Sequence, residues 1–330
     1  MSSAAAIAPP AAPADHGAEL KRGALTNTIA LLASNFRGVF TFLVARLLGP
    51  AILGAFLVAW NAIEVLSKLS LFGLDNTLIA FIARAEAAGD HARSHALFRL
   101  AVFLALAQSI LVGLLAFVVL HFLGEGFGLA RQVMMPLSVM LFSLPGLTLY
   151  GANTAVSRGM KVMRHDIFSR GLTESVVTSG VFLLALLLGA RTFAPAFAAV
   201  AGTSASGIVA FFLARSLFRS VALPARFSYR QEAGRLLSYA ANISAYDLLN
   251  AIIMRLDVIM LAGFVGRAPG VTLPVVGIYG AVVEVAGGLR KVNQAFNPIF
   301  APIVAGLTID GKQERAAAAF GRVAQWMLWV

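Results

Sequence analysis

The chain has 330 residues, of which 59% are hydrophobic and only 12% charged, with a formal net charge of +11 and no cysteine. With a mean hydropathy of +0.84, this composition excludes a water-soluble globule, and the lack of thiols excludes a disulfide scaffold, a thiolate zinc site, an iron-sulfur cluster and a cysteine nucleophile. The positive charge would suggest nucleic acid in a soluble protein, but in so apolar a chain it has to be sorted by the two sides of a membrane, and no nucleic-acid partner is expected.

Residues 1–24 are rich in Ala and Pro and lack an apolar signal core, so they read as a disordered cytoplasmic tail. Apolar segments then predict helical spans over 25–48, 51–82, 97–121, 133–157, 168–190, 193–216, 235–262 and 274–306, with part of a ninth from about 318 to Val330. With the N-terminus in the cytoplasm, the tail and the loops near 83–99, 158–170, 215–235 and 310–322 hold 17 of the 26 basic residues. The opposite side holds Arg46, Arg131, Arg191 and Arg267, so the bias sets a multi-pass orientation with a cytoplasmic N-terminus. The second and eighth spans, at roughly 1.5 Å per residue, exceed a hydrocarbon core of about 30 Å and must tilt or bend. Gly73, the Gly287–Gly288 pair and the Asn297-Pro298 step are the places where they can do so.

A repeat emerges when the spans are aligned. The turn Arg46-Leu-Leu-Gly49-Pro50-Ala-Ile-Leu-Gly54 corresponds to Gly263-Phe-Val-Gly266 through Val276-Gly277-Ile-Tyr-Gly280, with Gly54 and Gly277 offset by 223. The later turns at Gly89-Asp90 and Asp310-Gly311 are about 220 apart. Six spans separate the two units, so they cross in the same sense as a parallel repeat. The domain division is then a tail (1–24), an N-terminal six-helix lobe (25–216), a basic cytoplasmic linker (217–234) and a partial C-terminal lobe (235–330). On this period the second lobe is incomplete, and a full chain would run to roughly 440 residues.

The pattern Phe42-Leu-Val-Ala-Arg46-Leu-Leu-Gly49-Pro50-Ala51-Ile-Leu-Gly54-Ala-Phe56, with Phe72-Gly73-Leu74-Asp75-Asn76 and Phe81-Ile82-Ala83-Arg84, resembles the start of bacterial polysaccharide-biosynthesis membrane proteins. These are the oligosaccharide or O-antigen (Wzx-like) flippases, in the superfamily that also holds multidrug and toxin extruders (MATE) and lipid II flippases. The resemblance implies an all-α polytopic membrane protein with MATE-like six-helix lobes around a cavity that opens alternately to each face. It also implies a substrate, a polyprenyl-diphosphate-linked oligosaccharide, carried across the bacterial inner membrane without bond chemistry, with no cofactor. Membrane lipids, a polysaccharide polymerase and glycosyltransferases are the implied partners.

Ionisable and amide side chains at membrane depth are costly and face a cavity or one another, which makes them the site candidates. They are Arg37 in the first span, Glu64, Lys68 and Asp75 in the second, Asn242, Asp247, Asn250, Arg255 and Asp257 in the seventh, and Glu284, Arg290 and Lys291 in the eighth. The cationic members suit a diphosphate. Glu64 and Lys68, four apart, can equally pair with each other. Asp247 and Asn250 share a helical face, with Tyr246 beside them, that can line a cavity or hold a coupling cation, whereas Arg255 and Asp257 do not share one and each needs a partner elsewhere. Arg290 and Lys291 either meet an incoming head group or snorkel to the interface. The small residues around Gly202, Ser204, Ser206 and Gly207 read as close packing. His91 and His95 lack a third ligand, and no phosphate-binding glycine loop with its lysine is present, so neither a metal site nor ATP hydrolysis is expected. Three other readings fit the same pattern: a cation-coupled drug or toxin exporter of the same superfamily, a membrane-embedded glycosyltransferase or polymerase, and a truncated remnant with at most a scaffold role.

Overall fold

A computed structural model of the protein describes residues 36–124 and 130–287; the side chains of Phe36, Arg37 and Leu123 also lie outside the described set. In chain order the helices are α1 (Phe36–Leu48), α2 (Pro50–Leu71), α3 (Leu74–Ala87), α4 (His91–Leu123), α5 (Arg131–Met140), α6 (Ser143–Gly159), α7 (Arg164–Leu187), α8 (Ala194–Ser216), α9 (Tyr229–Gly263) and α10 (Leu273–Gly287). The described residues contain no strand, and the protein is an all-α membrane protein. Four stretches are long and apolar enough to cross a bilayer: Pro50–Ala87, His91–Phe122, Arg164–Leu187 and Ala194–Ser216. A fifth is added if the α5–α6 pair counts as one span. The first apolar helix, over Gly38–Leu48, and α10 are shorter in the described residues. The 35-residue α9 starts six residues before the expected span, which shortens the linker to 217–228.

Local sequence explains where the helices start and stop. Pro50 opens α2, where its missing N–H costs nothing, and Gly49 before it takes φ 84°. Phe72 and Gly73 both take left-handed conformations, φ 49° and 69°, and split the long second span into α2 and α3 at the glycine expected to bend it. Asp90 caps α4 by accepting a hydrogen bond from the Arg93 N–H at 3.0 Å. The 46° bend between α5 and α6 has a proline cause that its sequence pattern conceals. Pro145 lacks an N–H and its ring crowds the carbonyl of Leu141, which accepts from the Leu144 N–H at 3.1 Å instead. Pro145→Ala should let residue 145 restore the regular bond and bring the bend under about 20°; spin-label distances between the ends of α5 and α6 would show it.

In lipid, burial of apolar side chains does not itself drive helices together, so cohesion rests on close contact. Helices α6 and α8 achieve it with glycine: a Cβ at Gly146 would meet the Thr203 carbonyl oxygen at 2.6 Å, and one at Gly207 the Gly146 oxygen at 2.5 Å. Gly202 of α8 lies equally tightly on Thr178 of α7, whereas Gly38 and Gly180 face open space. Around Phe40 the aromatic rings pack edge-on, with Phe56 at 5.8 Å and Phe182 at 5.2 Å. Helix α4 is the opposite case, presenting Phe103, Leu111, Leu114 and Phe122 outward along its length. That is the surface expected against acyl chains.

Candidate functional site

The charged residues of α2, α9 and α10 meet between the helices that precede residue 217 and those that follow residue 228. Arg255 on α9 bridges two glutamates, with Nη2 at 2.5 Å from Glu64 Oε2 on α2 and Nη1 at 3.4 Å from Glu284 Oε1 on α10. One turn further along α2, Lys68 reaches across the Phe72–Gly73 break to Asp75 Oδ2 at 3.2 Å. Asn76 donates to Asp247 Oδ2 at 3.2 Å, which ties α3 to α9 as well. Asp257 and Arg255 point to different partners, Asp257 accepting from the Tyr279 hydroxyl of α10 at 3.0 Å. Asn242 and Asn250 are exposed on α9. Arg37 belongs to α1 but its side chain is outside the described set, and Arg290 and Lys291 lie outside the described residues.

Two backbone-tight contacts bracket this cluster. A Cβ on Gly54 would overlap the Leu273 carbonyl oxygen and stand 3.0 Å from the Gly277 nitrogen. A Cβ on Gly277 would overlap the Pro50 carbonyl oxygen and stand 2.9 Å from the Gly54 nitrogen. The contact is reciprocal, because residues 50 and 54 stand to 273 and 277 in the same 223-residue offset as the sequence repeat. At the other end of α2, a Cβ on Gly73 would meet the Ala240 carbonyl oxygen at 2.7 Å and the Ser244 nitrogen at 2.9 Å on α9. Gly54 and Gly73 are about 28 Å apart along the helix at 1.5 Å per residue, close to the hydrocarbon thickness. Glu64 falls near the midpoint of that interval, so the Glu64–Arg255–Glu284 bridge lies between the two tight contacts, roughly half-way along the stretch that they bracket.

A second polar group adjoins the first and was not singled out in the sequence. The Tyr150 hydroxyl of α6 donates to Asp166 Oδ1 on α7. Arg170 lies over the Tyr150 ring at 5.3 Å and near Glu174, at 3.7 Å. Arg170 also feels the charge of Glu64. Arg170 and Glu174 sit on a wide π-helical stretch, Ile167–Glu174, in which the Thr173 hydroxyl donates to the Phe168 carbonyl five residues back at 2.9 Å. Such wide turns re-aim side chains and recur at functional sites. A 3.6-residue period cannot reveal one, and the charge distribution counts Arg170 with the cytoplasmic loop near 158–170. Among the described residues, no group of three or more His, Asp or Glu could hold a metal ion.

Geometry alone supplies a charged, largely covered interface between two sets of helices, with acids outnumbering bases and each base engaged. It supplies no nucleophile-base pair aimed at a reacting atom. No curated protein and no solved structure matches the chain. A family model described as polysaccharide biosynthesis protein matches residues 20–301. That match covers most of the chain, from before the described helices to beyond α10, and the protein belongs to the polysaccharide biosynthesis protein family.

Proposed function

We propose that the protein moves a polyprenyl-diphosphate-linked oligosaccharide from the cytoplasmic to the outer leaflet of the bacterial inner membrane, by alternating access and without making or breaking bonds. The observation that carries this reading is the Arg255 bridge between α2 and α9–α10. A diphosphate is a stronger bidentate acceptor for a guanidinium than two separate carboxylates. Its arrival would draw Arg255 from Glu64 and release the tie that joins 36–216 to 229–287, the two segments we assign to separate lobes. With the N-terminus in the cytoplasm, the Gly54–Gly277 contact lies at the outer boundary and the Gly73–Ala240 contact at the inner one. Alternating access would then open one contact while the other stays shut. The excess of carboxylates, Glu64, Asp75, Asp247, Asp257 and Glu284, supports a second reading, a cation-coupled exporter of drugs or toxins.

The deciding measurement is mass spectrometry of polyprenyl-linked glycans, sorted by leaflet accessibility, in a strain lacking the gene. Accumulation in the cytoplasmic leaflet, cleared when the gene is restored, is the expected result. Unchanged glycan leaflets together with increased sensitivity to cationic drugs would replace the flippase reading with the exporter.

A further inference from the structure

Two clefts flank Arg99 on the face of the protein that carries most of the basic residues. The first, of about 680 Å³, lies between the start of α4, the end of α8 and the turn that follows it. Its floor is a stack of rings: His95 on Phe218 at 5.2 Å and Phe218 on Phe98 at 5.3 Å. His95 Nδ1 also meets the Val221 carbonyl oxygen at 2.8 Å, which fixes the turn against α4. Its rim carries Arg99, Arg215 and Arg219. The second cleft, of about 640 Å³, continues past Arg99 to Phe103 and to Arg230 at the start of α9.

Nearby Arg93 and Arg235 are both neutralised by Glu232, at 3.2 and 2.8 Å. Among the described residues, no salt bridge involves Arg99, Arg215, Arg219 or Arg230, and no acidic residue lines either cleft. Four guanidiniums with no acidic partner among the described residues, set over aromatic walls, call for an anion, and the same cleft leads onto the outward apolar face of α4, beginning with Phe103, which is 67% exposed. An anion attached to an apolar chain satisfies both halves. We infer that this double cleft is a binding site for an anionic glycerophospholipid, with the phosphate on Arg99, Arg215 and Arg219 and an acyl chain along α4. It shares no residue with the Arg255 cluster, and neither α2 nor α10 lines it, which separates it from the proposed transport path.

The test uses the full chain in vesicles containing a phosphatidylglycerol probe with a photoreactive acyl chain. Adducts are expected on residues 98–111 and 211–221, competed by unlabelled phosphatidylglycerol or cardiolipin and not by phosphatidylcholine. Arg219→Gln should weaken competition about fivefold, and the Arg99→Gln, Arg215→Gln, Arg219→Gln triple on the order of a hundredfold. The corresponding triple lysine variant, which keeps the charge and guards against a folding defect, should retain most of the labelling. Equal labelling in the glutamine triple, or equal competition by phosphatidylcholine, would overturn the proposal. Stronger competition by polyprenyl diphosphate than by phosphatidylglycerol would also overturn it, assigning the cleft to the isoprenoid carrier.

Discussion

Under the proposed flippase function, Gly54→Leu is expected to abolish lipid-linked oligosaccharide movement while leaving membrane insertion intact. The first added carbon already overlaps the Leu273 carbonyl oxygen, which is backbone and cannot rotate away. Helices α2 and α10 must separate or tilt, at a cost of about 1–3 kcal/mol for overpacking. A chain with many other helix contacts survives that cost, but the boundary contact does not close. The chain's lack of cysteine makes the consequence directly readable. A single Ser67→Cys reporter, one turn from Glu64, should react faster with a membrane-impermeant thiol reagent added on the Gly54 side when Gly54→Leu is present. Gly277→Leu should give the same phenotype, because the contact is reciprocal. Wild-type transport in either variant would show that the contact serves packing alone.

Arg255→Gln should be the most damaging single change in the charged cluster. It leaves Glu64 and Glu284 without the cation that they share, with side chains only 18% and 12% exposed. Removing one partner of a buried ion pair costs about 3–5 kcal/mol, and the partial exposure here places the expected loss at ~2–3 kcal/mol. Stability loss alone would not establish a role in transport, so the informative comparison is the triple Glu64→Gln, Arg255→Gln, Glu284→Gln. Without stranded charges it should regain most of the thermal stability, and it should still fail to move substrate. A triple variant that is both stable and active would remove the bridge from the mechanism.

How much of this was legible beforehand varied with the range of the interaction. Helix positions were legible, since twenty-residue apolar runs have few alternatives in a bilayer; α8, expected over 193–216, is Ala194–Ser216. The break at Gly73 was legible for the same local reason. Partnership was not. Lys68 had Glu64 one turn away in sequence and nevertheless reaches Asp75, seven residues on, across the left-handed pair Phe72–Gly73. Glu64 finds its arginine on α9, and no short-range rule encodes that choice. The Tyr150–Asp166–Arg170 group was hidden by the π-helical stretch, which shifts the helical phase, and the α5–α6 bend by a proline four residues beyond the carbonyl that it frees. The most productive long-range clue was the 223-residue offset, which aligned two glycines that turn out to touch.

The polarity of α9 has a consequence for biogenesis. Helix α4, apolar throughout its outward face, can leave the translocon for lipid by itself. Helix α9 carries Asp247, Arg255 and Asp257, each costing about 2.5–3.5 kcal/mol at the centre of a lone helix. Its release therefore depends on α2 already being in place to offer Glu64, and on α10 emerging soon afterwards with Glu284. Integration of the seventh predicted span is thus expected to be coupled to that of a helix synthesised nearly 200 residues earlier rather than to be an independent insertion.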